Sequence, residues 1–229
     1  IFMDIRKINQ DLIQFWDQQF GQAKASKIEK KDIPLDNDLV KLIKFVGDGS
    51  ENILDYGTGS GYALIAAKLH GRKMKSGLGI DPSSNSIKLA KDIVSMSQIE
   101  GLEFKVGKEE YLDQIEDHAF DGIICSNVLD VIPYETSSKI IEEFSRIIKP
   151  KGYFLLKINF YLTDELIKKI KMEKIGDNAY ALNGILRGVN LSNKEWVERF
   201  NGFSVIEEKS YQRLEKGPMD RVILFCKNE

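Results

Sequence analysis

Within Ile53–Leu69, ILDYGTGSGYALIAAKL, a short apolar run ends on Asp55, and Gly57, Gly59 and Gly61 follow at alternate positions before an alanine-rich helical pattern. Glycines at that spacing let a backbone turn tightly and approach a ligand closely, and the free N–H groups of a helix start favour an anionic group. About twenty residues on, the run GLGID ends on Asp81. A carboxylate there can accept hydrogen bonds from both hydroxyls of a ribose, so loop and acid together point to an adenosine-containing ligand.

Loop spacing separates two readings of that ligand. A dinucleotide site reads G-x-G-x-x-G, whereas this chain has D-x-G-x-G-x-G, with an acid ahead of the first glycine and the third glycine one position early. In this respect the chain resembles the class I S-adenosylmethionine-dependent methyltransferases, and the likeness runs in order from about Leu39 to Ile158. IDPSSNSIKLAK matches the family's ribose acid and following helix, with Pro82 and Ser83 near the adenine. FKVGKEEYL matches a stretch that often reads G-D-A, but Lys108 stands where the family has Asp, which leaves Glu109 or Glu110 to meet the adenine amino group. FDGIICSNVLDVIP matches the fourth strand and its loop, with Ser126 and Asn127 beside the cofactor and Asp130 toward the acceptor. The resemblance implies that S-adenosylmethionine is held by Asp55, Gly57, Thr58, Gly59, Gly61, Asp81, Pro82, Glu109, Ser126 and Asn127. It also implies a Rossmann-like α/β fold: a seven-stranded, mostly parallel sheet with helices on both faces and an antiparallel last strand.

The elements that must position these residues are legible as hydrophobic periodicity. NILDY, GLGID, FDGIICS, GYFLLKI and RVILFC read as strands with helical segments between most of them, the alternation of a parallel α/β sheet. Leu39, Leu42, Ile43 and Val46 line one helix face, and Ile140, Ile141, Phe144, Ile147 and Ile148 another. Pro150 and Gly152 are expected to stop the second helix and turn the chain into a strand over Tyr153–Ile158. The stretch 159–191 reads as an insertion with a helix near 164–175 followed by the irregular GDNAYALNGILRGVN, and it is expected to cover the active site. Ser192 and Glu195 form a capping box with Leu191 placed to staple against Trp196. FSVIEEKSYQ and RVILFC then form an antiparallel pair joined by LEKGPMD.

At 229 residues the chain fits one domain, 1–229, with an N-terminal helical segment at 4–34. A formal net charge of -2 gives no broad positive field for phosphate backbones, and the basic runs KIEKK, HGRKMK and KKIKMEK alternate with acids. Nucleic acid is therefore not the expected partner. No apolar run has the length a bilayer requires and IFMDIRKINQDLIQFW has no leader-like apolar region, which reads as a cytoplasmic enzyme whose natural start is Met3. Cys125 and Cys226 fall in apolar strands and are expected to be buried and reduced. His70 and His118 have no partners at metal or triad spacing, so no metal is expected.

Methyl transfer needs in-line attack on the sulfonium carbon, so positioning can carry most of the catalysis. Asp130 is the candidate base by motif position, and equally a turn cap or the partner of a surface cation. Phe15, Trp16 and Phe20 share a helix face that either folds over the cleft or docks on the domain; Tyr161, Tyr180 and Arg187 would overhang the same cleft or pack as ordinary lid residues. The loop S-N-V-L-D lacks N/D-P-P-Y and no Pro-Cys nucleophile is present, so the expected acceptor is a small molecule. The alternatives are a protein or transfer RNA acceptor, a binding module without transfer, and a nicotinamide oxidoreductase. Oligomeric state is open.

Overall fold

A computed structural model describes residues 5–212 and 217–229. Met3, Ile1 and Phe2, the first residue of the 4–34 segment and part of the LEKGPMD link lie outside the described residues. The helices are α1 (Ile5–Gly21), α2 (Asn37–Gly49), α3 (Tyr62–His70), α4 (Ser84–Ser97), α5 (Glu109–Leu112), α6 (Tyr134–Ile147), α7 (Asp164–Ile170) and α8 (Asn193–Glu198). The strands are β1 (Asn52–Tyr56), β2 (Ser76–Asp81), β3 (Leu102–Val106), β4 (Phe120–Ser126), β5 (Ile148–Ile158), β6 (Glu173–Gly176), β7 (Ala179–Leu182), β8 (Ile185–Val189), β9 (Phe203–Gln212) and β10 (Met219–Lys227).

Seven strands form one sheet in the order β3-β2-β1-β4-β5-β10-β9. The first five are parallel, and β10 runs antiparallel to β5 and to β9. Chain order reverses between β1 and β4, and the loops there open a crevice at the carboxyl ends of the strands, where open α/β sheets bind ligands. Period-two alternation divides the core between the two faces. Ile53, Ile124, Val222 and Leu224 pack with Leu42, Ile43, Val46, Leu64 and Ile65 of α2 and α3. Leu54, Ile123, Cys125, Ile223 and Phe225 pack with Ile140, Ile141, Phe144 and Ile147 of α6 and with Trp196 of α8.

The five expected strands form, as do both helix stripes and the Ser192–Glu195 capping box. Leu191 and Trp196 lie buried in one cluster, as a staple requires. Four expectations are corrected. Ile148 leaves the helix stripe and opens β5, because Phe120 pairs with Ile148 and Gly122 next pairs with Tyr153. Pro150 therefore sits inside an irregular stretch of strand, where its missing N–H costs no ladder bond. The helix in the insertion stops at Ile170, and the segment read as irregular is a three-stranded antiparallel sheet, β6-β7-β8. Its turns place Asn178 at φ 54 and Asn183-Gly184 at φ 54 and 76, and Asn-Gly is the preferred pair for a two-residue hairpin. Regular helix in the N-terminal segment ends at Gly21, well before 34. Cys125 is buried but Cys226, near the end of β10, is only half-buried; both are free thiols. No helix among the described residues is long and apolar enough to cross a membrane.

Candidate functional site

β1 delivers Asp55 to the crevice and the glycine loop returns the chain into α3. Gly57, Gly59 and Gly61 all have left-handed backbone, at φ 71, 52 and 78. At Gly57 a Cβ would lie 2.1 Å from Cγ2 of Val128, so the β4 loop closes on bare backbone there. Gly61 serves packing instead, since it caps α3 and lets Phe104 and Ala90 approach within 2.9 and 3.2 Å of where its Cβ would be. The loop is pinned to β2, since Gly57 N and Thr58 N donate to Ile80 O at 2.8 and 3.0 Å.

Asp81 is held by backbone on both sides. Gly59 N donates to its Oδ2 at 2.9 Å and Ser83 N to its Oδ1 at 2.8 Å, which leaves further lone pairs for a ligand. Asp55 accepts from Thr58 Oγ1 at 2.6 Å. Burial pushes the Asp55 carboxyl up to about 7 against the Thr58 hydrogen bond, and the nearby Asp81 charge adds to the rise. Burial also raises Asp81, opposed by the Ser83 and Gly59 N–H groups.

Both carboxylates open on a cavity of about 330 Å³, together with Gly57, Thr58, Gly59, Pro82, Ser126 and Asn127. Most of its remaining lining is apolar: Leu12, Ile13, Trp16 and Phe20 from α1, Leu35, and Val128, Val131 and Ile132 from the β4 loop, with Ser60, Tyr62 and Ser83 adding hydroxyls. A second cavity of about 430 Å³ shares Gly57, Pro82 and Val128 with the first and is lined by Lys108, Glu109 and Glu110. The sequence-nominated residues thus converge on two adjoining cavities, with two exceptions. Gly61 lines neither and acts through packing. Asp130 also lines neither: its Oδ2 accepts from Asn159 N and Nδ2, both at 2.8 Å, and its carbonyl accepts from Val189 N at 2.7 Å. Asp130 therefore ties the β4 loop to both ends of the insertion, a long-range brace rather than a cap on its own turn, and its carboxyl is raised by burial.

The roof of the first cavity is α1, not the insertion. Trp16 and Phe20 line it, and Phe20 Cζ would lie 3.0 Å from a Cβ on Gly59. α1 is fastened along one side by Asp17, which accepts from Ser83 Oγ at 2.7 Å, Asn85 N at 3.0 Å and Asn85 Nδ2 at 2.8 Å. Those bonds, led by the Asn85 N–H, hold the Asp17 carboxyl below the usual range. Of the insertion residues, Tyr161, Tyr180 and Arg187 do not line the cavity, and Arg187 instead stacks 4.2 Å from the Phe15 ring centroid. The insertion supports α1 from outside. His70 and His118 each meet a backbone carbonyl, Lys30 O and Ile148 O. Among the described residues no group of three or more His, Cys, Asp or Glu could hold a metal ion.

Two contributions escape a reading of the sequence. Asp17 has no motif to mark it. Lys157 does carry a signal, a lone cation inside the apolar run FLLKI. It is 2% exposed, pairs with buried Asp220 Oδ2 at 2.7 Å, and donates to Asn127 Oδ1 at the cavity wall.

The lining fits the donor implied by the sequence. Two buried carboxylates face one cavity with no cationic side chain among the described residues that line it, so the site asks for an ammonium and for hydroxyl donors. The family model described as a methyltransferase domain matches residues 48–202. A ribosomal protein L11 methyltransferase of Fusobacterium nucleatum is 29% identical over 139 residues, covering 60% of this chain and 42% of that protein. A ubiquinone biosynthesis O-methyltransferase of Neisseria meningitidis is 24% identical, covering 44% and 41%. The chain thus spans about two fifths of the length of these curated relatives. The solved 1,6-didemethyltoxoflavin-N1-methyltransferase of Burkholderia thailandensis, with bound 1,6-didemethyltoxoflavin and S-adenosylhomocysteine, superposes with a TM-score of 0.70 at 14% identity, covering 100% of this chain and 92% of that one.

Proposed function

The chain belongs to the methyltransferase domain family and has the class I fold of S-adenosylmethionine-dependent methyltransferases, and from that premise we propose that it transfers the donor's methyl group to a small-molecule acceptor in the cytoplasm. The observation that carries this reading is the cavity in which Asp55, Asp81 and the glycine loop face apolar residues of α1 and the β4 loop.

When bound, S-adenosylmethionine supplies an electrophilic methyl group on a sulfonium. Asp81 would hold the ribose hydroxyls and Asp55 the ammonium, with Pro82, Thr58, Gly57, Gly59, Ser126 and Asn127 around them. Glu109, beside Lys108 in the adjoining cavity, would face the adenine end. Asp130 is committed to Asn159 and is not assigned as a base. The apolar walls would align the reactants, and this positioning would supply the rate enhancement. A small acceptor is supported by the space available: about 330 Å³ lies between the glycine loop and α1, with Phe20 over Gly59 and Trp16 beside it. Free Cys125 and Cys226 accord with a reducing compartment.

Calorimetry with S-adenosylhomocysteine and with NAD tests the donor: the homocysteine compound is expected to bind, and NAD binding with no response to it would overturn the reading. A labelled-methyl transfer screen over metabolite, protein and transfer RNA fractions tests the acceptor. Label in the metabolite fraction is expected; label in protein or RNA alone would make the acceptor a macromolecule, and binding without label in any fraction would favour a non-catalytic module.

A further inference from the structure

We propose that Lys157 is a positioning residue that turns the Asn127 amide so that its Nδ2–H groups face the cavity and hold an anionic oxygen there; this rests on the methyl-transfer reading above. Asn127 lines the cavity at the end of β4, and its Oδ1 accepts from the Lys157 ammonium. An ammonium has three donors and no acceptor, so only the oxygen of the amide can face it, and the planar group must present its nitrogen in the opposite direction. The Asn127 backbone is fixed by donation from N to Lys157 O at 2.8 Å and by φ 56, which places the side chain beside Lys157 and leaves the turn of its amide to the ammonium contact.

The ion pair behind this arrangement has little value for stability alone. Buried pairs repay their desolvation poorly, and apolar residues of the same volume often do as well. Lys157 and Asp220 are 2% and 1% exposed; Lys157 follows buried Leu155 and Leu156 on β5 and pairs in register with buried Val222 on β10, while Asp220 is followed by the buried Arg221. What the charge does accomplish is to remove one of the two orientations of Asn127. The cavity already has two carboxylates for cationic or hydroxyl-bearing groups, and no lysine, arginine or histidine lines it among the described residues. An anionic oxygen entering it finds neutral donors, and the locked amide adds two N–H groups to the hydroxyls of Ser60, Tyr62 and Ser126. A protonated amine in the same place would meet N–H groups rather than an acceptor.

The anionic oxygen has two possible sources with one chemistry: the carboxylate on the donor's methionine end, or a carboxylate or phenolate on the acceptor. Asn127→Asp keeps the shape and tolerance of left-handed backbone but replaces the donor with an oxygen. Calorimetry compares it with the unsubstituted protein, using S-adenosylhomocysteine, the decarboxylated analogue, and benzoate titrated onto protein saturated with S-adenosylhomocysteine. If the donor is the source, Asn127→Asp is expected to weaken S-adenosylhomocysteine about tenfold or more and the decarboxylated analogue by less than about twofold. If the acceptor is the source, both donor ligands bind normally and benzoate binding is lost. Lys157→Met must weaken the same ligand arm; should it fail to fold, Asp220→Asn, which loosens the ammonium, takes its place. Unchanged discrimination in Asn127→Asp, or normal discrimination in the folded Lys157 or Asp220 variant, overturns the proposal. Failure of the unsubstituted protein to bind S-adenosylhomocysteine would instead overturn the reading on which it rests.

Discussion

The two walls of the principal cavity are made in different ways. The wall proposed for the donor, Asp55 to Gly61 with Asp81, is built from the ends of two adjacent parallel strands, and its carboxylates are held by the loop's own N–H and hydroxyl groups. The opposite wall comes from α1, the β4 loop and their distant supports: Asp17 reaches α4, Arg187 on β8 stacks on Phe15, and Lys157 and Asp220 hold Asn127. The donor wall is rigid because its partners are close in the chain or in strand register. The opposite wall depends on elements that meet only when the whole chain has folded, so it can vary without disturbing the other.

That contrast can be broken most severely at Gly57. Gly57→Ala places a Cβ against Val128 in a left-handed backbone, and is expected to cost about 2–4 kcal/mol of stability and to abolish S-adenosylhomocysteine binding. Thermal denaturation and calorimetry check both; normal binding would mean the β4 loop yields and the donor wall is not rigid. Next in size is Asp81→Ala, expected to weaken S-adenosylhomocysteine by about 1.5–3 kcal/mol if its carboxylate holds the ribose. Unchanged affinity would refute that role.

Asp55 adds a pH dependence peculiar to the donor wall. Its carboxyl is raised to about 7 by burial, so the folded apoprotein keeps a proton that the unfolded chain releases near the ordinary carboxylate pKa. Stability is therefore lost as pH rises from that range through about 7, while affinity for an ammonium-bearing ligand grows over about pH 6–8 as the carboxylate forms. Asp55→Asn is expected to melt higher than the unsubstituted apoprotein at about pH 8, to converge with it near about pH 4, and to bind S-adenosylhomocysteine about tenfold more weakly, with the gain in affinity over about pH 6–8 lost. A parallel pH profile in both proteins would remove Asp55 from the linkage.

Changes on the far side should be smaller. Asp17→Ala frees one edge of α1 and is expected to weaken S-adenosylhomocysteine by about 1 kcal/mol, mainly through faster dissociation in stopped-flow fluorescence. An unchanged dissociation rate would show that the roof does not gate the cavity. The smallest effect belongs to Gly184→Ala in the β7–β8 turn, where φ is 76 and nothing lies within 4 Å of the new Cβ. About 1 kcal/mol of stability should go and ligand affinity should not move, in contrast to the same change at Gly57. Loss of affinity there would bring the insertion into the site.

Strands β1, β2, β4 and β10 are legible in the sequence because buried strands need unbroken apolar runs, and α2 and α6 because a single covered face imposes a helical period. The small sheet of the insertion is not, although Asn183-Gly184 is a hairpin signal, since its strands are only four or five residues long and alternate weakly. Asp130 illustrates the limit for sites. Motif position nominates it as a base, yet its environment is set by Asn159, about thirty residues away in the chain, and by the backbone of Val189.

Sequence alone determined the donor wall, because a strand end, a glycine loop and the next strand's acid form a unit whose geometry follows from short-range backbone constraints. Tertiary structure alone decided what faces it. Which side of α1 roofs the cavity, which way the Asn127 amide points and which carboxylate is left to brace a loop depend on contacts between residues tens to more than a hundred positions apart. No local pattern encodes such contacts, since each partner is an ordinary residue until the fold brings the other to it.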